Sequence, residues 1–453
     1  MKITVTVCLL MGIGLAASEP AFAIPAFARK YGLRCSACHE AWPKLNNFGL
    51  AFRDNGYQLG NERDGPIYQH PEYFPISFRI TPQWHRESTN LVGVDAIPGQ
   101  AGSGVTEARI NSSGFDLSGL DLWTAGTLAN NISFLVLPSS DATGAFHFES
   151  AWVRLDNIEG SRWLNVKFGK HELDTPISEK RFLTLTQTGG FYQLYHYVPA
   201  SDINAFGGLG QNQLGVELMG HSQNSYTRYA VSVLSSNGGQ SGLPTGSTYD
   251  EYGDFSQAFD VPKAGLQRVG VYGYSGRSPT YYQTSNGVAI PGTGGGERPF
   301  YRAGAYGIWY LDKLDVSTLY MHGKDNVYLG TGTPAGEGPL PTGAQAPVWN
   351  GCFVEAHYTW SPQLVLVGRY ETVRMAQQAL PVGSLMANGV PVTDSLGNTN
   401  AWVGGFRWYP IMSSRAGLAW HMEYAQVRTT GMSPVTGRDV HSSSLMAGFD
   451  FAF

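Results

Sequence analysis

From Pro75 onward, apolar and polar residues alternate in runs of about ten, and the runs come in pairs joined by very short turns. The clearest pairs lie near the C-terminus. Phe300 to Leu311 turns at Asp312-Lys313 into Leu314 to His322, and Asn350 to Trp360 turns at Ser361-Pro362 into Gln363 to Arg374. Ala401 to Pro410 turns through Ile411 to Ser413 into Ser414 to Val427. The connections between pairs, such as Gly323 to Trp349 and Met375 to Asn400, are long and rich in Gly, Pro, Thr and Ser. A period of two belongs to strands, and short turns alternating with long loops are how antiparallel membrane barrels are strung.

The same pattern marks Ile76 to Arg86, Ser113 to Thr127, Asn130 to Leu137, His147 to Asp156, Arg162 to Gly169, Gln213 to His221, Ser225 to Leu234, Tyr249 to Asp260 and Leu266 to Gly276. With Ser442 to Phe453 the expected count is about sixteen strands, and an even number brings both ends of the barrel to the periplasmic side. Alternation also assigns faces. Leu418, Trp420, Met422 and Tyr424 face lipid, which turns Ala419, His421 and Glu423 inward; Leu445, Ala447, Phe449, Phe451 and Phe453 face out, leaving Met446 and Asp450 inside. Outward Leu214, Val216 and Leu218 put Glu217, Met219 and His221 inside, and outward Phe78, Ile80 and Trp84 do the same for Arg79, Gln83 and His85. A polar lumen carrying both charges is expected.

Composition separates this barrel from a soluble β-sandwich or propeller. Charged residues are 14% of the chain, against about 25% in soluble domains, while aromatics reach 13% and glycines number 57. No run approaches the 18 or so apolar residues of a membrane helix. Lys2, an apolar stretch from Ile3 to Ala17 and the small-x-small Ala21-Phe22-Ala23 read as an export signal over residues 1–23, with the mature chain starting at Ile24. The expected fold is all-β: a transmembrane antiparallel barrel over residues 76–453, in the bacterial outer membrane and in contact with its lipid, with a small N-terminal α/coil plug over residues 24–75. The net charge of -5 gives no basic footprint, so nucleic acid is not an expected partner.

The plug carries Cys35-Ser36-Ala37-Cys38-His39. Thiols at i and i+3 lie one helical turn apart, so both can form thioethers to one porphyrin while His39 reaches its iron. One covalent haem c on Cys35, Cys38 and His39 is the expected cofactor. A zinc site would need a second ligand pair of similar spacing, and no other Cys pair exists: Cys8 leaves with the export signal and Cys352 stands alone, small and either buried or lipid-facing. A segment of about fifty residues buries too little surface to be secure by itself. The barrel's inner wall is therefore expected to complete the pocket at the periplasmic mouth, with Phe27, Trp42, Leu45, Phe48, Phe52 and Tyr57 packed on the porphyrin or on one another.

Ile24-Pro25-Ala26-Phe27-Ala28-Arg29 precedes this motif, and Trp42-Pro43-Lys44-Leu45, Phe48-Gly49, Phe52 and Asn55-Gly56-Tyr57 follow it. In this combination the chain resembles the fused monohaem cytochrome-porins of the outer membrane, whose best-known members are the iron oxidases of iron-oxidising bacteria. The specific match covers about thirty-five residues, while the barrel matches in size and style. The resemblance implies an electron conduit between an extracellular redox partner, ferrous iron among the candidates, and a periplasmic c-type cytochrome or similar carrier. That would be an Fe(II):cytochrome c oxidoreductase type of activity. Lys30, Asn47 and Leu50 stand where members tied to iron oxidation tend to carry Gln, Pro and Arg, so the donor and the direction of flow stay open.

Two other classes are compatible with the residues. One is a porin whose haem segment is a structural or gating plug. The other is a haem peroxidase using His421 with Glu423, or His357 with Glu355. The sixth iron ligand is open as well. No Met lies between Met11 and Met219, which leaves His70, His85, His171, His196, His221, His357, His421, Met219 and Met446. His171 and His196 belong to the long connection Lys170 to Asn212, whose counterpart in sixteen-stranded porins folds into the pore. Asp325 and Asn326 are placed in an outer loop, where such polar pairs bind a cation or are simply solvated.

Overall fold

The alternating segments close on themselves. A computed structural model describes residues 26–69, 75–140, 144–186, 188–200, 206, 208–239, 249–279, 283–285, 288–290, 297–326, 342–385, 389–413 and 416–452. Its sixteen strands form one closed antiparallel barrel. They are β1 (Ile76–Asp95), β2 (Val105–Ala129), β3 (Ile132–Ser140), β4 (Phe146–Leu155), β5 (Asn165–His171), β6 (Gln213–His221), β7 (Thr227–Ser235) and β8 (Tyr249–Val261). The circuit continues through β9 (Gly265–Pro279), β10 (Glu297–Leu311), β11 (Leu314–Lys324), β12 (Val348–Ser361), β13 (Leu364–Gln377), β14 (Thr399–Met412), β15 (Gly417–Thr429) and β16 (Val440–Ala452). β16 returns to β1 in register from Ser442↔Thr89 to Ala452↔Arg79. The export signal over residues 1–23, His70 and Phe453 fall outside the described residues.

Every expected strand is present, and the largest discrepancy is length. β1 and β2 run well past Arg86 and start well before Ser113, paired through Val92↔Ala108 and Asp95↔Val105. Their outer halves mix Ser, Thr, Asn and Glu with Leu91, Val92, Val94, Val105 and Ile110 without a regular period of two, although the backbone ladder continues. A further ribbon, Gln283–Ser285 with Val288–Ile290, lies in the β9–β10 loop and was not expected.

The assigned faces stand. Val216, Leu218, Met422, Tyr424 and Phe449 are exposed, whereas Glu217, Met219, His421, Glu423, Met446 and Asp450 are buried inside. Val231, Val233, Phe255, Val269 and Val271 extend the apolar exterior, and Cys352 belongs to the outward set of β12. Exposed apolar surface on this scale is stable only against lipid, and the protein is an outer-membrane β-barrel. Among the described residues no helix is long and apolar enough to cross a membrane.

The expected polar lumen with both charges is present, and an aromatic region that was not expected lies beside it. β8 to β12 turn Tyr252, Tyr272, Tyr274, Phe300, Tyr306, Trp349 and Phe353 inward, where they pack with Tyr192, Leu194, Tyr195 and Tyr197 of the β5–β6 loop. That loop enters the lumen and is pinned there by buried charge. Leu185 and Thr186 donate backbone N–H bonds to Glu423, Leu194 donates to Glu371 at 3.1 Å, and Arg369 donates to the carbonyls of Gly189 and Gly190. Aromatic inward positions are apolar on both faces of their strands, so alternation alone could not distinguish them from lipid-facing ones.

Residues 26–69 close the short-turn mouth. They form α1 (Ala26–Tyr31), α2 (Cys35–Cys38) and α3 (Asn47–Asp54), with a small ribbon between His39–Ala41 and Lys44–Leu45. Barrel residues hold this plug at several points: Tyr409 donates to the Trp42 carbonyl at 2.7 Å, the Ala26 N–H donates to Ser77 at 2.8 Å, and Lys44 pairs with Asp315.

Candidate haem site

α3 starts where Asn46 caps it, its Oδ1 accepting from the Gly49 N–H at 2.9 Å. The same residue fixes α2, since its backbone N–H donates to the Cys38 carbonyl and its amide to the Ala37 carbonyl. α2 and α3 touch so closely that a Cβ on Gly49 would lie 2.1 Å from the Cys38 carbonyl oxygen. Gly49→Ala should force the two helices apart at a cost of about 1–3 kcal/mol or more. Reduced haem attachment on a folded barrel, read by haem staining, is the expected outcome.

Cys35 and Cys38 occupy one turn, and His39 follows in extended conformation. The His39 Nδ1–H donates to the Pro43 carbonyl at 3.0 Å, with the Lys44 carbonyl at 3.3 Å. Carbonyls only accept, so this fixes the proton on Nδ1 and leaves Nε2 as the basic nitrogen, the arrangement of a metal-binding imidazole. Burial lowers the His39 pKa to about 4, against weaker opposition from these carbonyls, so the ring is neutral across the physiological range.

Cys35, Cys38 and His39 face a cavity of about 240 Å³ between plug and barrel wall. Five of the six expected packing residues, Phe27, Trp42, Leu45, Phe52 and Tyr57, line it. Phe48 is the exception and stands exposed. Phe27 stacks on Tyr57 at 4.4 Å and meets Phe52 edge-on at 5.4 Å, while Tyr57 stacks on Trp152 of β4 at 6.2 Å. Ala125, Leu135, Leu137, Trp152 and Met219 complete the wall from β2, β3, β4 and β6. Cationic side chains, Arg34, Arg53, Arg154, Lys167, Lys180 and Arg181, stand around it. Five of these cations are paired with carboxylates, among them Glu172 and Asp174 of the same wall, so the fit to a covalent haem rests on the paired thiols, the imidazole with its basic nitrogen and the flat aromatic walls.

Trp152 and Arg154 were not apparent as site residues from sequence. The available sign was the alternation of β4, which puts Ser150, Trp152 and Arg154 together on the inner face.

The candidate sixth ligands separate clearly. Of those in the described residues, His171 and Met219 line the cavity. His85 faces Asp116 and Glu87, His196 pairs with Glu179 at 2.8 Å, and His357 lies between Asp315 and Glu355 at 3.2 and 2.6 Å. His221 bonds the Ser222 carbonyl at 2.9 Å and, like His421 and Met446, is not part of the cavity wall. Neither candidate peroxidase pair lines the cavity, and Glu423 is committed to the lumen loop. The solvated-loop reading of Asp325 is corrected. It is fully buried, bonded to Arg302 at 2.6 Å and to the Trp349 indole at 3.0 Å, and serves as an anchor of the wall.

No family model and no curated protein matches the sequence. Among solved structures, the outer membrane channel DcaP of Acinetobacter baumannii is 12% identical, covering 83% of this chain and 96% of its own, with a TM-score of 0.47. OmpT, an outer membrane protein of Vibrio cholerae, is 10% identical over 83% of this chain and 100% of its own, with a TM-score of 0.45. The anion-selective porin from Comamonas acidovorans is 10% identical over 83% and 99%, also at 0.45. The barrel assignment rests on the strand pairing and not on these likenesses.

Proposed function

We propose that the protein is an outer-membrane electron conduit, in which one covalent haem c at Cys35, Cys38 and His39 links an extracellular redox partner to a periplasmic carrier. The observation that carries this reading is the position of the C-x-x-C-H side chains against a cavity walled jointly by plug and barrel. When bound, the haem would supply one-electron redox chemistry. The chain's own part is to place and insulate that group. Cys35 and Cys38 tether it, the Pro43 carbonyl orients the His39 ring, and Trp42, Phe52, Tyr57 and Trp152 keep water from its faces. The apolar band of the barrel, about 25 Å tall in such proteins, blocks insoluble or bulky redox partners from the periplasm. A haem at the short-turn mouth stands next to the periplasmic side of that barrier.

The test is an anaerobic visible spectrum of the membrane-inserted protein, oxidised by ferricyanide, before and after ferrous iron is added. Rapid appearance of reduced c-type bands, lost in His39→Ala, is the expected result for inward transfer from iron. A haem that dithionite reduces and iron does not would exclude that donor and favour outward transfer or another partner.

A porin with a haem plug is the second reading, favoured by the barrel architecture itself. It requires solute flux. The packed aromatic cluster and the pinned loop lead us to expect weak conductance in planar bilayers, and a large steady conductance would shift the assignment to the porin.

A further inference from the structure

The proposed haem has one ligand in the plug, His39, and on that reading we propose that His171, the last residue of β5 where the strand passes into the lumen loop, supplies a second from the barrel wall. The side chain is 1% exposed. Its Nδ1 lies 3.1 Å from the Glu172 carbonyl oxygen, which can only accept, so Nδ1 carries the proton. Nε2 is left as a buried basic nitrogen with no hydrogen-bond partner among the described residues, beside the cavity that His39 also lines. Burying such an acceptor unsatisfied is costly, and coordination to iron would remove that cost. The arrangement repeats that of His39, where a backbone carbonyl holds Nδ1–H and leaves Nε2 as the basic nitrogen of a residue lining the same cavity.

Met219 is the competitor. Its sulfur accepts from Arg154 Nη1 at 3.6 Å, and that guanidinium is itself fixed by Asp156 at 2.5 Å and by the Arg53 carbonyl at 3.0 Å. A sulfur engaged by a held cation is poorly placed to bind another one. Register keeps the two candidates apart, because His171 pairs with Gln213 at one end of the β5–β6 ladder and Met219 pairs with Asn165 at the other. Six residues of strand is roughly 20 Å, so one iron cannot be served by both. His221 shares the carbonyl-bonded Nδ1 and buried, unpartnered Nε2, but it does not line the cavity. The cavity, and not the imidazole pattern, decides.

Ligation from β5 would join plug and barrel through the iron, so that the six-coordinate haem forms only when residues 26–69 are seated. Full-length protein purified in detergent, with haem attached, tests this by electron paramagnetic resonance and near-infrared magnetic circular dichroism. The wild type should be low-spin with a bis-imidazole charge-transfer band. His171→Ala should become high-spin and return to low-spin on addition of imidazole, while Met219→Ala keeps the wild-type spectrum. His171→Met should retain a six-coordinate haem and acquire the thioether charge-transfer band, which separates ligation from misfolding. Barrel integrity is followed by heat-modifiable gel mobility. A high-spin wild type, or a low-spin bis-imidazole spectrum surviving in His171→Ala, overturns the proposal. Covalent haem staining distinguishes the levels of failure: staining with an unresponsive spectrum defeats only the ligand assignment, whereas no haem in the wild type defeats the underlying haem reading together with it.

Discussion

Cys35→Ala combined with Cys38→Ala should yield a heat-modifiable, folded barrel that carries no covalent haem. The expected loss is complete, because the remaining cysteine that the structure places, Cys352, belongs to the outward set of β12 and cannot reach the plug. Folding should survive. The Cys35 thiol gives up one weak bond, to the Ser413 carbonyl at 3.3 Å, whereas the contacts of Trp42 with Tyr409, Lys44 with Asp315 and Asp54 with Arg228 use no thiol and continue to hold residues 26–69 in the mouth. Each single substitution should leave one thioether and a haem attached at reduced yield. Haem staining of denaturing gels beside gel mobility of the unheated protein separates these outcomes. Haem staining that persists in the double variant would show that the motif is not the attachment site.

Much of this architecture was legible because lipid imposes a simple rule. Each membrane-spanning strand shows one face to hydrocarbon, so Leu418, Trp420, Met422 and Tyr424 could be separated from Ala419, His421 and Glu423 by reading every second residue. The rule fails wherever both faces meet similar surroundings. The outer halves of β1 and β2 mix polar and apolar residues without a regular period of two, and Tyr272 or Trp349 is packed in the lumen cluster while its strand is apolar outside as well, so strand ends and the aromatic part of the lumen were not legible. The site divides in the same way. Cys35, Cys38 and His39 carry their chemistry in their spacing, and a local motif needs no tertiary context to be recognised. The far wall comes from β2 to β6, at least 66 residues further along the chain than Tyr57, and only closure of the barrel brings Trp123, Trp152 or His171 to it. His171 was one of nine candidates in sequence, singled out with His196 only by loop analogy, because what distinguishes it is a cavity, which has no sequence signature.

Arg228→Ala should be the most disruptive single change to plug seating. Arg228 in β7 donates to Asp54 of α3 from Nε at 2.6 Å and from Nη2 at 3.0 Å, and its Nη2 also reaches both oxygens of Asp174 in the lumen loop at 2.9 Å. One guanidinium thus joins plug, wall and loop, with Arg53 as the second cation on Asp174. Removing it leaves two buried carboxylates facing one arginine, and breaking a buried pair from one side costs about 3–5 kcal/mol. Asp54→Asn should cost less, since Asp174 still neutralises Arg228 and an amide can accept one of its hydrogen bonds. The pH dependence follows from the same contacts. Burial pushes the Asp54 carboxyl upward, but Arg228 and Arg53 outweigh it and hold the group well below the usual carboxylate range. A depressed folded value means that the stabilisation is complete above the ordinary Asp pKa of about 4 and is lost only as pH falls further toward the folded value. Limited proteolysis of the detergent-solubilised protein should therefore release residues 26–69 in Arg228→Ala at neutral pH, and in the wild type only under strongly acid conditions. Equal protease resistance of the two at neutral pH would show that the plug is held elsewhere.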